Sequence, residues 1–130
     1  MRILIAEDSL TQAVDLRRRL EALGHGVVVT ATGAQAWSHL QTKPERLVIS
    51  DWMMPEISGI ELVKLLKGKN PLLYVIMITA KGTPNDIYEG LVAGANDYMI
   101  KPINLDDLEV RLHLAKATIE LNKAKRLGNF

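Results

Sequence analysis

The chain has 130 residues, 48% of them hydrophobic and 24% charged, a balance that fits a single globular domain large enough to bury a core. Sixteen basic against fifteen acidic side chains leave a formal charge of +1, so bulk charge gives no reason to expect nucleic-acid binding. The absence of cysteine excludes disulfides and thiolate chemistry, and no apolar run reaches signal-peptide or membrane-spanning length, so a cytoplasmic setting is expected.

Ile3-Leu4-Ile5-Ala6 reads as a short buried strand that stops at two acids, Glu7 and Asp8. Ser9 followed by Gln12 has capping-box spacing, and Ala13, Leu16, Leu20 and Leu23 recur at helical intervals until Gly24 and Gly26 stop the helix. Val27-Val28-Val29 is a second strand, and Thr32 with Gln35 opens a second helix carrying Ala36, Trp37 and Leu40 on one side. Leu47-Val48-Ile49 is a third strand that ends in the carboxylate of Asp51 and turns through Met54-Pro55. Ser58 with Glu61 is another capping box, with Ile57 as a hydrophobic staple. Leu62, Leu65 and Leu66 are the expected buried stripe of that third helix, and Gly68 its expected C-cap. Tyr74 to Ile78 forms a fourth strand ending at Thr79-Ala80; Thr83-Pro84 starts a fourth helix, which Gly94 ends. The fifth strand is Asp97 to Ile100, followed by Lys101-Pro102, and Asn104 caps a last helix with Asp106 and Asp107 at its positive end.

Strand and helix thus alternate five times. Unbroken Val/Ile/Leu strands are buried on both faces, which predicts a parallel sheet with helices on each side. Right-handed crossovers make this a doubly wound, flavodoxin-like α/β fold with strand order 2-1-3-4-5.

In such a sheet all carboxyl ends lie along one edge. Here they carry Glu7 and Asp8, Asp51, Thr79 and Lys101: three carboxylates, a hydroxyl and an ammonium in one crevice. Clustered carboxylates repel one another unless a cation joins them, and a hard divalent ion, Mg²⁺ above all, suits oxygen ligands beside a phosphate. His25, His39 and His113 have no metal-ligand arrangement and are expected on the surface or on helices, while Met77 and Met99 belong to the core.

These residues resemble the receiver domain of bacterial two-component response regulators. The resemblance covers about Met1 to Ile119: Glu7-Asp8 as the acidic pair, Asp51 followed by Met53, Pro55 and Gly59 as the phosphoacceptor segment, Thr79-Ala80, and Gly94 to Tyr98 with Lys101-Pro102. It implies a phosphoacceptor signalling domain that catalyses only its own phosphorylation and dephosphorylation, and is no enzyme otherwise. Asp51 would take a phosphoryl group from a sensor histidine kinase or phosphotransfer protein. Asp8, Asp51 and the backbone carbonyl of Met53 would ligate Mg²⁺, with Glu7 acting through a water. Lys101 and Thr79 would contact the phosphoryl oxygens, with the backbone N–H groups of Met53 and Ala80 nearby. The resemblance also implies a cis Lys101-Pro102 bond and a switch in which Thr79 moves toward Asp51 and Tyr98 turns into the space left. That would remodel the surface of helix four, strand five and helix five, through which partners or a second copy bind.

The last helix carries two stripes. Leu105, Leu108, Leu112, Ala115 and Ile119 are expected to pack on the sheet; Val110, Leu114, Ala117, Leu121 and Ala124 run past the domain's end. Residues 1–119 are therefore expected to be the receiver domain and 120–130 a helical extension, a linker or dimer seam, with Gly128-Asn129-Phe130 as a point where a longer regulator was cut. A stand-alone regulator acting by protein contact is the alternative. A flavin or nucleotide binder of the same fold would need a phosphate loop where Glu7-Asp8 would repel phosphate. A haloacid-dehalogenase-type phosphatase would need an acid where Met53 stands.

Overall fold

A computed structural model describes residues 1–43 and 45–126. The order is β1 (Arg2–Ala6), α1 (Leu10–Ala22), β2 (Gly26–Thr30), α2 (Gly33–Thr42), β3 (Leu47–Ser50), α3 (Gly59–Lys69), β4 (Tyr74–Thr79), α4 (Pro84–Ala93), β5 (Asp97–Ile100) and α5 (Leu105–Arg126). The five strands form one parallel sheet in the order β2-β1-β3-β4-β5, as expected from their composition.

Because successive residues of a strand point to opposite faces, each strand feeds two cores. Ile3, Ile5, Leu47, Ile49, Ile76 and Ile78 pack with Leu16 and Leu20 of α1 and with Leu108, Leu112 and Ala115 of α5. Leu4, Ala6, Val48, Val75 and Met77 pack on the other face with Ala36 of α2 and with Ile60, Leu62, Val63 and Leu66 of α3. Ile87 and Ala93 of α4 pack on this second face as well, so two helices cover one face and three the other.

The local signals act mostly as expected. Ser9, Thr32, Ser58 and Thr83 each accept a hydrogen bond from the N–H three residues on, and Thr83 with Asp86 forms a full capping box. Gly94 closes α4 with φ of +124°, a conformation an L side chain rarely adopts. Two expectations for α3 need correcting. The helix runs through Gly68, which has open space around it, and is capped at Asn70. Leu65 is exposed, and Val63 takes its place in the buried stripe, because positions 62, 63 and 66 share one face at 3.6 residues per turn.

On α5 the inner stripe is buried at Leu108, Leu112 and Ala115, with Ile119 packed at its end, whereas Leu105 lies outside the core and is 37% exposed. Val110, Leu114 and Leu121 of the second stripe face outward. The helix continues through Arg126, whereas the expected cut at Gly128-Asn129-Phe130 lies outside the described residues.

Candidate functional site

Strand register sets the site. Ala6, Ser50 and Met77 lie in one row across β1, β3 and β4, so Glu7 and Asp51 leave the sheet side by side. Thr79 pairs with Ile100 on β5, and Lys101 follows directly. The Lys101–Pro102 peptide is cis, as the resemblance implies.

Glu7 and Asp51 are buried, whereas Asp8 is exposed. One oxygen from each of the three carboxylates lies within 4.8 Å of the others. The Lys101 ammonium stands among them, 2.6 Å from Glu7 Oε1, 2.7 Å from Asp51 Oδ2 and 2.5 Å from Gln12 Oε1. The backbone holds Asp51 from the other side: its Oδ1 accepts from the N–H of Trp52 at 2.6 Å and of Met53 at 3.3 Å. Glu7 Oε2 accepts from the Ser9 N–H at 3.2 Å.

Burial raises the Glu7 pKa, and the Asp51 charge adds to the rise against the opposing hydrogen bonds from Lys101 and Ser9. Burial alone would lower the Lys101 pKa; its hydrogen bonds and attraction to Asp51 and Glu7 outweigh that, and the net shift is upward. With all side chains charged, three carboxylates against one ammonium leave two negative charges, the charge of one divalent cation. Among the described residues no cation pairs with Asp8. The donor set is all oxygen, as hard cations such as Mg²⁺ prefer.

These strand-end acids, with Asp51 ion-paired to the lysine after β5, have a counterpart among known proteins. The family described as "Response regulator receiver domain" matches residues 3–113. The chain belongs to this family. Receiver domains are signalling domains of two-component systems and interact with histidine kinases or phosphotransfer proteins. The chain is 38% identical over 114 residues to response regulator RppA of Synechocystis sp., a match covering 86% of this chain and 49% of RppA. It is 33% identical over 122 residues to chemotaxis protein CheY1 of Helicobacter pylori, covering 91% of this chain and 98% of CheY1. This receiver domain therefore spans about half the length of one such relative and nearly all of another. Its fold is similar to the Francisella response regulator 1452 receiver domain, with a TM-score of 0.84 at 29% identity, covering 93% of this chain and 98% of that one.

The remaining expected site residues flank the receiver's acidic centre. Thr79 is buried, and its Oγ1 accepts from the Lys81 N–H at 3.4 Å; Ala80 is exposed, and so is the side chain of Met53. Tyr98 already lies inside, with its hydroxyl donating to the Lys81 carbonyl at 2.6 Å. Burial, reinforced by the charges of Asp86, Asp51 and Glu89, pushes its phenol up to about 12. The Lys81 ammonium sits 4.6 Å from the ring centroid of Trp52, the residue after Asp51. A cleft of about 560 Å³, lined by Gln12, Leu16, Ala80, Lys101 and Ile103 among others, opens beside the lysine.

Two contributors, Gln12 and Lys81, escape a reading of the sequence alone. Gln12 looks like a helix cap, and the bond from Tyr98 reaches Lys81 through the backbone, which no side-chain pattern records. Among the described residues no helix is long and apolar enough to cross a membrane.

Proposed function

We propose that this receiver domain is a phosphorylation-controlled switch in which Asp51 takes a phosphoryl group from a phosphohistidine of a sensor histidine kinase or phosphotransfer protein. An Asp51 carboxylate oxygen attacks phosphorus, the P–N bond breaks with its electron pair going to the imidazole, which takes up a proton, and an acyl phosphate forms on Asp51. The observation that carries this reading is the Lys101–Asp51 ion pair at 2.7 Å, beside the acids Glu7 and Asp8. That lysine is within reach of the oxygens on which the transferred charge gathers.

Mg²⁺ would be held by Asp8, Asp51 and the backbone carbonyl of Met53, with Glu7 acting through a water. Bound there, it supplies positive charge to the phosphoryl oxygens. Thr79 donates a hydrogen bond from its hydroxyl to one phosphoryl oxygen and the Lys101 ammonium contacts another as a positive charge, with the N–H groups of Met53 and Ala80 completing the cradle. Thr79 and Tyr98 form the switch: their shared tie to Lys81 gives the β4–α4 loop a route from the phosphorylated residue to the α4–β5–α5 surface.

Residues 1–119 form the receiver, and the segment 120–130 serves as a linker or dimer seam in a larger regulator. The outward Val110, Leu114 and Leu121 support that seam. The second reading is a stand-alone regulator acting by protein contact; the match spans 98% of CheY1 and 49% of RppA, so relatives of both lengths occur.

Intact-mass measurement after incubation with acetyl phosphate and Mg²⁺ tests the reading. One phosphoryl adduct is expected on the native chain and none on Asp51→Asn. Equal labelling of both refutes it.

A further inference from the structure

The third residue of a capped helix ordinarily turns its side chain back toward the cap. In α2, Gln35 does so, accepting from the Ala31 N–H at 2.9 Å, and in α4 Asp86 accepts from the Thr83 N–H at 3.3 Å. Gln12 holds the same position in α1, and its backbone N–H reaches the Ser9 hydroxyl at 3.4 Å. Its side chain nevertheless turns the other way. The Ser9 N–H goes to Glu7, and Gln12 Oε1 meets the Lys101 ammonium at 2.5 Å. A side chain that the local sequence would assign to capping is diverted to the site.

An ammonium has three protons, and here three acceptors surround it: Glu7, Asp51 and Gln12. Two are carboxylates, whose charge-assisted bonds are strong, and Gln12 is the neutral third. Only the carbonyl oxygen of Gln12 can accept from an ammonium, so the orientation of its amide is fixed by chemistry. Lysine carries a long, flexible stem, and two acceptors alone leave its head free to swing about the line joining them. The third contact removes that freedom. Being the weakest of the three, it is also the one most readily exchanged for an arriving phosphoryl oxygen. Gln12 lines the cleft beside Lys101, so the exchange takes place at an open edge of the site.

We infer that Gln12 is a positioning residue for phosphoryl transfer: it aims the Lys101 ammonium toward the incoming group and acts through that lysine alone. This inference rests on the proposed phosphorylation of Asp51.

The test compares phosphorylation rates with acetyl phosphate for the native chain, Gln12→Met, Lys101→Met and the double variant. Methionine keeps the length and helix preference of glutamine and removes the acceptor; Gln12→Ala serves as a second variant. Loss of one hydrogen bond to a charged group predicts that either Gln12 variant slows phosphorylation by about tenfold or more. Affinity for Mg²⁺ is expected to stay unchanged, and the Gln12→Met effect to vanish in the Lys101→Met background. The Lys101 ammonium resonance should also shift in Gln12→Met. Native rates in both Gln12 variants overturn the inference, as does an equal slowing with and without Lys101. Failure of the native chain to take a phosphoryl group would instead sink the proposed function, so the two failures are distinguishable.

Discussion

The Tyr98 hydroxyl donates to the backbone carbonyl of Lys81 at 2.6 Å, and the N–H of the same Lys81 donates to the Thr79 hydroxyl at 3.4 Å. The end of β4 and the middle of β5 are thereby joined through one loop residue. Removing the bond with Tyr98→Phe is expected to cost about 1 kcal/mol of stability near neutral pH. The cost has a pH signature. With the Tyr98 pKa pushed up to about 12, the folded state holds the phenolic proton more tightly than the unfolded chain does. The stabilisation is complete below about pH 10, where an unfolded tyrosine titrates, and is lost as pH rises toward the folded value. Urea unfolding as a function of pH should therefore show the two proteins converging at alkaline pH. A difference that stays constant would show that the fold does not protect that proton.

Two glycines make opposite predictions. A Cβ at Gly90 would lie 2.8 Å from the Tyr98 ring, a group that can rotate away. Gly90→Ala should therefore expel the ring, seen as faster iodination of Tyr98. Its net stability change should be small, because alanine favours the helix by up to about 1 kcal/mol. A Cβ at Gly59 would strike backbone: the Asp51 carbonyl oxygen, and Trp52 Cα at 2.7 Å. No rotamer relieves that contact. Gly59→Ala should cost about 3 kcal/mol and displace the segment carrying Asp51, so that phosphorylation falls as well.

Glu45 is a buried carboxylate just ahead of β3, at the opposite end of that strand from Asp51. It accepts from Arg2 at 2.8 Å and pairs with His39 Nε2 at 3.0 Å, tying β1, α2 and the approach to β3 together. Glu45→Ala leaves partners that can reach water, since the Arg2 side chain is 68% and that of His39 20% exposed. The expected loss is therefore modest for a buried pair, about 1–2 kcal/mol in chemical denaturation, with phosphorylation retained. A larger loss would mean that Glu45 also supports the core.

Trp52 reports on the acidic cluster. It is buried next to Asp51 with the Lys81 ammonium over its ring. In a Trp37→Phe background, adding Mg²⁺ should change the remaining indole emission, chelation should restore it, and Asp8→Asn should abolish the response. An unchanged spectrum at saturating Mg²⁺ would contradict the proposed metal site.

Most of the fold was legible because the signals were redundant. Strands β1 to β4 each carry an unbroken apolar run, and four serine or threonine caps mark helix starts. The convergence of Glu7, Asp8, Asp51 and Lys101 followed from strand ends in a parallel sheet. What stayed hidden depends on competition between partners. Gly68 resembles a helix stop, but the helix continues because Asn70 can cap it two residues later. Glu45 lies between Lys43-Pro44 and Arg46, where composition suggests a solvated loop, and only the packing brings Arg2 and His39 to it. Gln12 has the spacing of a cap, and Lys101, 89 positions away in sequence, competes for the same oxygen.

The central claim is that Asp51, rather than Glu7 or Asp8, receives the phosphoryl group. It is the carboxylate held by two backbone N–H groups on one oxygen and by Lys101 on the other. Hydroxylamine converts an acyl phosphate into a hydroxamate at the residue that carried it, and peptide mapping then locates that residue. The account predicts a hydroxamate on Asp51 alone. A hydroxamate on Glu7 or Asp8 in a protein that carries phosphate would contradict it.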